Sequence, residues 1–340
     1  MGQKIYMNKG AMLINMKELI LKITDKVLKG EDITYEESLD LINIDDNNME
    51  ILEYLFQGAN KIREKFMGKK VDLCTIINAK SGMCSEDCKF CAQSSHYNTD
   101  VKKYNLLDYD EILKRAKEME KAGAHRFSLV TSGKGIKGKE FDKLLDIYKR
   151  LNRDTNLKLC ASHGVISYEQ VLKLKESGVS MYHHNIETCK DYYQEICTTH
   201  SYEERIQTIK NVINAGMDIC CGGIIGLGES LEDRVKMAFE IKELGVKSIP
   251  INVLNPIKGT PLEDKEILHP FEILKTMAVY RYIIPDSYIR YAGGRMAIKD
   301  KQNIGFKAGV NAALVGNYLT TIGSDINKDK KMILCEGLEI

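Results

Sequence analysis

The chain has 340 residues, a formal net charge of +1, 44% hydrophobic residues and 29% charged residues. That near-neutral balance argues against electrostatic capture by nucleic acid or by an anionic membrane surface, and no apolar run of about 18 residues exists to span a bilayer. The composition is that of a globular enzyme, long enough for one large domain or two ordinary ones. The opening MGQKIYMNKGAMLINMKELI lacks the apolar core and small-residue cleavage site of a signal peptide, so the expected compartment is the cytoplasm, with Met7, Met12 and Met16 as competing starts. Ten cysteines are many for such a chain. In a reducing compartment, clustered thiols more often bind metal or do chemistry than pair as disulfides.

Residues 1–70 read as helical, with amphipathic segments over Met16–Leu28 and Asn47–Lys65, and are expected to form an N-terminal cap. From Asp72 the pattern changes to short apolar runs alternating with amphipathic helices. DLCTIIN is the first strand, and Asp108 is placed to cap a helix carrying Ile112, Leu113, Ala116 and Met119 on one face. Gly123 ends that helix, and His125–Val130 follows as a strand. The same order recurs: Gly178 before SMYHHNIE, Gly216 before MDICCGGIIG, Gly245 before SIPINVL. Glycine suits a helix C-terminus because it adopts positive φ without a Cβ clash. KLCAS, YIRYAGG and a run near Ala312–Gly316 complete the strands. Seven or eight such units over about 250 residues, with no linker between halves, predict a (β/α)8 TIM-type barrel over 71–320 with an N-terminal helical extension and a C-terminal tail at 321–340.

Directly after the first strand comes Ser81-Gly-Met-Cys84-Ser-Glu-Asp-Cys88-Lys-Phe-Cys91-Ala-Gln, which a barrel places on its C-terminal rim, where active sites sit. Structural zinc takes four ligands, usually as two paired Cys-x-x-Cys elements. Here three thiols share one loop and no fourth follows. Three thiolates suit three irons of a [4Fe–4S] cubane, leaving the fourth iron open to a small molecule. Zinc, or three unrelated loop cysteines, are the competing readings.

The spacing Cys84-x-x-x-Cys88-x-x-Cys91 resembles the signature of the radical S-adenosylmethionine superfamily. The resemblance implies that the open iron chelates the amino and carboxylate groups of the methionine moiety, that Phe90 lies near the adenine, and that reduction yields a 5′-deoxyadenosyl radical. Five further stretches, Cys91-Ala-Gln-Ser-Ser-His-Tyr-Asn-Thr, Tyr182-His-His-Asn-Ile-Glu-Thr, Gly222-Gly-Ile-Ile-Gly-Leu-Gly-Glu, Ile249-Pro-Ile-Asn-Val-Leu and Tyr288-Ile-Arg-Tyr-Ala-Gly-Gly-Arg, resemble the biotin synthase family in order from Asp72 to Asn317. Its members insert sulfur into dethiobiotin. By that resemblance Arg205 pairs with the methionine carboxylate, a task its guanidinium fork suits, and Glu187 replaces an aspartate at the ribose. Asn185 and Asn252 line the dethiobiotin pocket, where an amide offers the donor and acceptor that a ureido ring requires. Without the resemblance Arg205 reads as a solvated helix charge and the asparagines as strand-end turn residues. Gly226-Leu-Gly-Glu229 lacks the dinucleotide fingerprint and reads as a tight turn; the resemblance puts Gly226 and Gly228 behind the adenosyl group.

The family also holds an auxiliary iron–sulfur cluster deep in the barrel as sulfur donor. Cys160, Cys220 and Arg290 match three of its ligands, but the fourth position is Ser128, and a hydroxyl is a far poorer iron ligand than a thiolate. A [2Fe–2S] site of the usual kind is therefore in doubt, and a larger four-iron cluster with an extra sulfide, as in variants typical of anaerobes, is the favoured reading. Cys221 and Cys189 stand where the family more often has serine and are candidates, although strand alternation should turn Cys221 away from Cys220. Cys74, Cys197 and Cys335 read as buried small residues, and His183 and His184 as packing or supporting residues, although His183 has inward parity and could ligate. The expected partners are dethiobiotin, a reductase with flavodoxin or ferredoxin as electron donor, and a second copy in a homodimer. The rival readings are a clan-mate, of the hydrogenase-cofactor maturase or methylornithine-forming mutase type, and a non-catalytic metal-binding protein.

Overall fold

The computed structural model describes residues 9–316 and 325–340, so Met7, Asn317 and the expected boundary at 320/321 lie outside the described residues. Three helices come first: α1 (Lys9–Leu28), α2 (Tyr35–Ile42) and α3 (Met49–Met67). Then strands and helices alternate: β1 (Asp72–Lys80), α4 (Tyr109–Ala122), β2 (Arg126–Thr131), α5 (Gly138–Asp154), β3 (Lys158–Ser162), α6 (Tyr168–Glu176), β4 (Val179–His183) and α7 (Tyr202–Asn214). The second half runs β5 (Asp218–Cys220), β6 (Gly223–Ile225), α8 (Leu231–Glu243), β7 (Ser248–Val253), α9 (Pro270–Ile283), β8 (Tyr288–Tyr291), α10 (Gln302–Lys307), β9 (Ala312–Leu314) and α11 (Ile326–Cys335).

Every strand pairing is parallel, and the order β1-β2-β3-β4-β5-β7-β8-β9 returns to β1. β6 continues β5 beyond a break at Cys221–Gly222 and pairs with β7, so the nine strands make eight staves. This is the closed (β/α)8 barrel that the alternation predicts. Helix starts are set locally: Thr34, Ser167, Ser201 and Ser230 each open a capping box with the residue three positions on. Asp108 stands at the N-cap of α4 as expected but makes no cap hydrogen bond; its carboxylate accepts instead from Lys143 Nζ at 2.9 Å. Gly123 ends α4 in the left-handed conformation, as anticipated.

α9 is buried on all sides because α2 and α3 pack against it. That explains its lack of an apolar stripe: both faces meet protein. Its one buried amine, Lys275, donates to Ile44 O and pairs with Asp46, each at 2.6 Å.

Register decides what fills the barrel. Cys74 is flush with Arg126, and Arg126 with Lys158, so the residue level with Cys74 two staves on is Cys160, two positions further along. The same step leads from Cys160 through Met181 and Asp218 to Cys220, from Cys220 through Ser248 and Tyr288 to Arg290, and from Arg290 through Ala312 and Asp72 back to Cys74. Four steps of two residues give the shear of about 8 that defines this barrel class, and alternate staves supply each layer of four side chains. One layer is therefore Cys74, Cys160, Cys220 and Arg290. The same walk on the other staves gives Ser128, His183, Pro250 and Leu314, one residue step nearer the C-terminal rim.

The break at Gly222 has no room for a side chain: a Cβ there would lie 1.9 Å from Pro250 O. Gly222 N also donates to Asn185 Oδ1 at 3.2 Å. Gly222→Ala should push β5–β6 off β7 and lower stability by about 1–3 kcal/mol, read from the urea midpoint under anaerobic conditions. An unchanged midpoint would show that the break is not tightly packed.

Candidate active site

The loop after β1 is tied into one rigid turn. Cys84 N donates to Gln93 O at 3.0 Å, Ser95 N to Cys84 O at 2.7 Å, and Cys91 N to Cys88 O at 2.9 Å. Cys84, Cys88 and Cys91 all line one pocket at the C-terminal rim, together with Glu187 and Arg205. All three are free thiols. Burial pushes the Cys91 thiol up to about 11 and raises Cys84 as well, while a hydrogen bond with Cys197, reinforced by burial, raises Cys88. A thiol binds iron as its thiolate, so metal loading is coupled to proton release.

The donor set fits a cluster better than one ion. Among the described residues, Cys88, Cys197 and His200 are the one set of three whose ligand atoms gather within 4.8 Å; the triad's own sulfurs stand further apart, as a cubane's three corners require. Cys197, expected to be a plain core residue, lies 3.6 Å from Cys88 Sγ and 3.2 Å from His200 Nδ1, and Glu86 holds that imidazole at 2.6 Å. Only the fold brings it there: its loop follows β4, over a hundred residues from Cys88.

Opposite the triad, Arg205 from α7 projects inward. Its Nε donates to Tyr193 Oη at 2.7 Å, its Nη1 donates to Asn185 O at 3.0 Å, and Nη1 lies 3.4 Å from Glu187 Oε1. Burial works against this charge, but Glu187 and Tyr193 outweigh it and hold the guanidinium pKa above its ordinary value. Glu187 itself sits at φ 70°, a left-handed conformation that a glutamate rarely adopts. Ile224 N, donating to Glu187 O at 2.7 Å, and Asn185 Nδ2, donating to its carboxylate at 3.2 Å, hold it there. Arg205 is therefore a buried, oriented fork and not a solvated helix charge.

A second pocket shares Cys91, Gln93, Asn185 and Glu187 with the first and adds Phe90 and Asn252. Asn252 Nδ2 donates to Gly223 O at 3.1 Å and its Oδ1 accepts from Gly293 N at 2.9 Å. Each anchor uses half of the amide, so one N–H and one lone pair stay available to a ligand. Phe90 packs with Leu227, Leu254 and Ile196 between this pocket and the Gly226–Gly228 turn. Both glycine N–H groups are already engaged by Glu229, at 2.7 Å and 3.0 Å, and Glu229 is locked by Arg234 at 2.7 Å. The tight-turn reading of Gly226 and Gly228 thus describes their backbone, and Leu227 connects the turn to Phe90.

Below the pockets, Cys160 and Cys220 pack together with Met181 inside the barrel, and Arg290 is 2.6 Å from Asp72 Oδ2. The structure does not bring Cys189 or Cys221 to this layer. Cys221 points outward from the barrel into the main apolar core near Tyr202, as strand alternation requires, and no bulge reverses it. Cys189 stands past the end of β4, with its thiol 3.5 Å from Asp233 Oδ1 in α8. Cys74, expected to be a buried small residue, is buried, and β1 turns it into the barrel level with Cys160. Strand parity from Asp72 was the available signal. Cys335, expected to be buried, is exposed. His183 faces inward, Nδ1 3.5 Å from Ser128 Oγ, with Nε2 lacking a hydrogen-bond partner.

Residues 80–241 match the radical SAM superfamily, and residues 250–339 match the Biotin and Thiamin Synthesis associated domain. Fold and triad together define a radical S-adenosylmethionine enzyme. Curated relatives named biotin synthase extend along nearly the whole chain: that of Clostridioides difficile strain 630 is 62% identical over 96% of this chain and 100% of its own length, and that of Acetivibrio thermocellus is 60% identical over 95% and 100%. The Clostridium tetani biotin synthase is 54% identical over 96% and 99%. The chain belongs to the biotin synthase family, which implies a [4Fe–4S] cluster and S-adenosylmethionine as its cofactors. Solved structures of methylornithine synthase (TM-score 0.80, 21% identity, 93% of this chain and 96% of that one) and of an [FeFe]-hydrogenase maturase (0.78, 17%, 99% and 80%) share the fold. At such identities they show the fold alone, and the two clan-mate rivals gain nothing from it. No described helix is long and apolar enough to cross a membrane.

The Arg205–Glu187 pair should reveal itself energetically. Arg205→Met leaves Glu187 beside an uncompensated wall and should cost about 3–5 kcal/mol of stability, most of it recovered in Arg205→Met/Glu187→Gln. A single variant as stable as the parent in urea would mean that the pair is solvated.

Proposed function

We propose that this chain inserts sulfur into dethiobiotin to form biotin, with the rim pocket holding the [4Fe–4S] cluster and S-adenosylmethionine and the adjoining pocket holding dethiobiotin. The observation that carries the reading is the shared wall: Cys91, Gln93, Asn185 and Glu187 line both pockets, so the two sites adjoin. The cluster, bound with S-adenosylmethionine and reduced, supplies hydrogen-atom abstraction from unactivated carbon. The protein's own task is placement. Cys84, Cys88 and Cys91 anchor three irons, Arg205 presents its fork to the methionine carboxylate, and Glu187 takes the ribose. Phe90 covers the adenine, with the Gly226–Gly228 turn behind it. Asn185 and Asn252 each offer a fixed amide to the ureido ring.

An auxiliary iron–sulfur cluster in the barrel below would be held by Cys160 and Cys220 with Arg290 beside them and would supply the sulfur; with Ser128 in place of cysteine, we favour a larger four-iron cluster with an extra sulfide over a plain [2Fe–2S] one. Residues 1–70, 71–320 and 321–340 act as helical extension, catalytic barrel and tail. The reaction needs electrons, which we assign to a flavodoxin or ferredoxin and its reductase in the cytoplasm, acting on a homodimer; these assignments rest on the family resemblance.

Cys84→Ala, Cys88→Ala and Cys91→Ala should each abolish 5′-deoxyadenosine formation in anaerobically reconstituted protein, because a cubane with two anchors loses its open-iron geometry. Undiminished cleavage in the triple variant would contradict the assignment. Asn252→Ala should weaken dethiobiotin binding by up to about tenfold, the worth of one or two hydrogen bonds, and affect cofactor cleavage less. If biotin never forms while another small molecule drives deoxyadenosine production, a clan-mate activity is the correct reading.

A further inference from the structure

Ser128 leaves the auxiliary cluster one thiolate short, and its own layer offers an imidazole but no thiol. It shares its layer with His183, Pro250 and Leu314, and its hydroxyl lies 3.5 Å from His183 Nδ1. The next layer inward is chemically different. Cys74, Cys160, Cys220 and Arg290 come from four alternate staves, so three thiols and one guanidinium converge on the barrel axis at one height. All three thiols are sealed from solvent, at 1%, 0% and 3% exposure. Cys74 stands level with Cys160 across β2, and Cys220 Sγ accepts from Ser248 Oγ at 3.2 Å. Arg290 is steered by Asp72 at 2.6 Å and reaches Ser248 Oγ at 3.5 Å.

Two features separate this layer from ordinary packing. A barrel layer is commonly filled by branched aliphatic side chains, whereas this one contains none. Its sulfurs are also not all within 4.8 Å of one another, so the group is not a ready-made site for a single ion. Soft thiolates are the donors that select iron–sulfur clusters. Burying three of them calls for neighbouring positive charge, and Arg290 and Arg126 both lie against the group.

We infer that Cys74, Cys160 and Cys220 are the three thiolate ligands of the auxiliary cluster, with Cys74 supplying the thiolate that Ser128 cannot. The assignment rests on the auxiliary-cluster reading above. It places the cluster in one layer, a residue step deeper than a ligand at position 128 would, with Ser128 and His183 between it and the dethiobiotin pocket.

The test isolates the second site in the full chain by replacing Cys84, Cys88 and Cys91 with alanine, then counts iron and sulfide after anaerobic reconstitution and records Mössbauer spectra. In that background Cys74→Ala should lose at least nine-tenths of the remaining iron. The near-isosteric Cys74→Ser should lose it too while keeping its circular dichroism and elution volume, which removes misfolding as an explanation. Ser128→Ala and Cys221→Ala should keep the iron, and Cys74→Ala combined with Ser128→Cys should regain part of it. Full iron in Cys74→Ser, or its loss in Ser128→Ala with Cys74→Ser unaffected, would overturn the assignment of Cys74 and leave the cluster standing. A triad variant that binds no iron would overturn the auxiliary-cluster reading, and this assignment with it.

Discussion

Closure of eight parallel staves with a shear of about 8 forces side chains from alternate strands into stacked layers, and everything else in this molecule depends on what fills them. On the outer face the strands meet helices through Val, Ile and Leu, as burial favours. Inside, the N-terminal half holds Asp72, Arg126, Arg290 and three thiols. Such a lumen is costly unless each charge is answered. Asp72 does much of the answering: despite its burial, contacts with His125, Arg290 and Arg126 hold its carboxyl well below the ordinary aspartate range. Arg290 is oriented by that carboxylate and by Asp72 O at 3.2 Å before any ligand arrives. A barrel built only for stability would fill these positions with aliphatic side chains.

At the opposite end, precision comes from backbone that the barrel holds in unfavourable shapes. Glu187 at φ 70° and the break at Cys221–Gly222 are neighbours, joined by a single bridge between Glu187 and Gly223. Strain of this kind persists where surrounding contacts over-determine it. Here Asn185 joins both sides: its carbonyl accepts from Arg205, its Oδ1 from Gly222 N, and its Nδ2 donates to Glu187. One asparagine thereby aligns the cationic fork, the carboxylate and the strand break across which the two pockets meet.

Much of this was legible in the sequence, for physical reasons that vary by residue. The triad is local, fixed within eight residues by loop chemistry, and the helix–glycine–strand rhythm survives in any parallel barrel. Cys221 was correctly expected to face away from Cys220, because alternation within one strand needs no tertiary knowledge. Cys74 was read as a buried small residue and is one, but only closure of the barrel shows that shear brings it level with Cys160. Cys197 was illegible for another reason: it reaches Cys88 across a loop contact that no periodicity encodes. Asp108 shows the limit of cap signals, since it takes the N-cap position and spends its carboxylate on Lys143.

The proposed chemistry requires two iron centres in one barrel, stacked along its axis with the dethiobiotin pocket between them. An anomalous-scattering map at the iron edge, collected from crystals of anaerobically reconstituted protein, tests it most directly. Two separate peaks are expected, one bounded by Cys84, Cys88 and Cys91 and the other level with Cys74, Cys160, Cys220 and Arg290. A single peak at the rim with none in the barrel, or zinc at the triad, would contradict it.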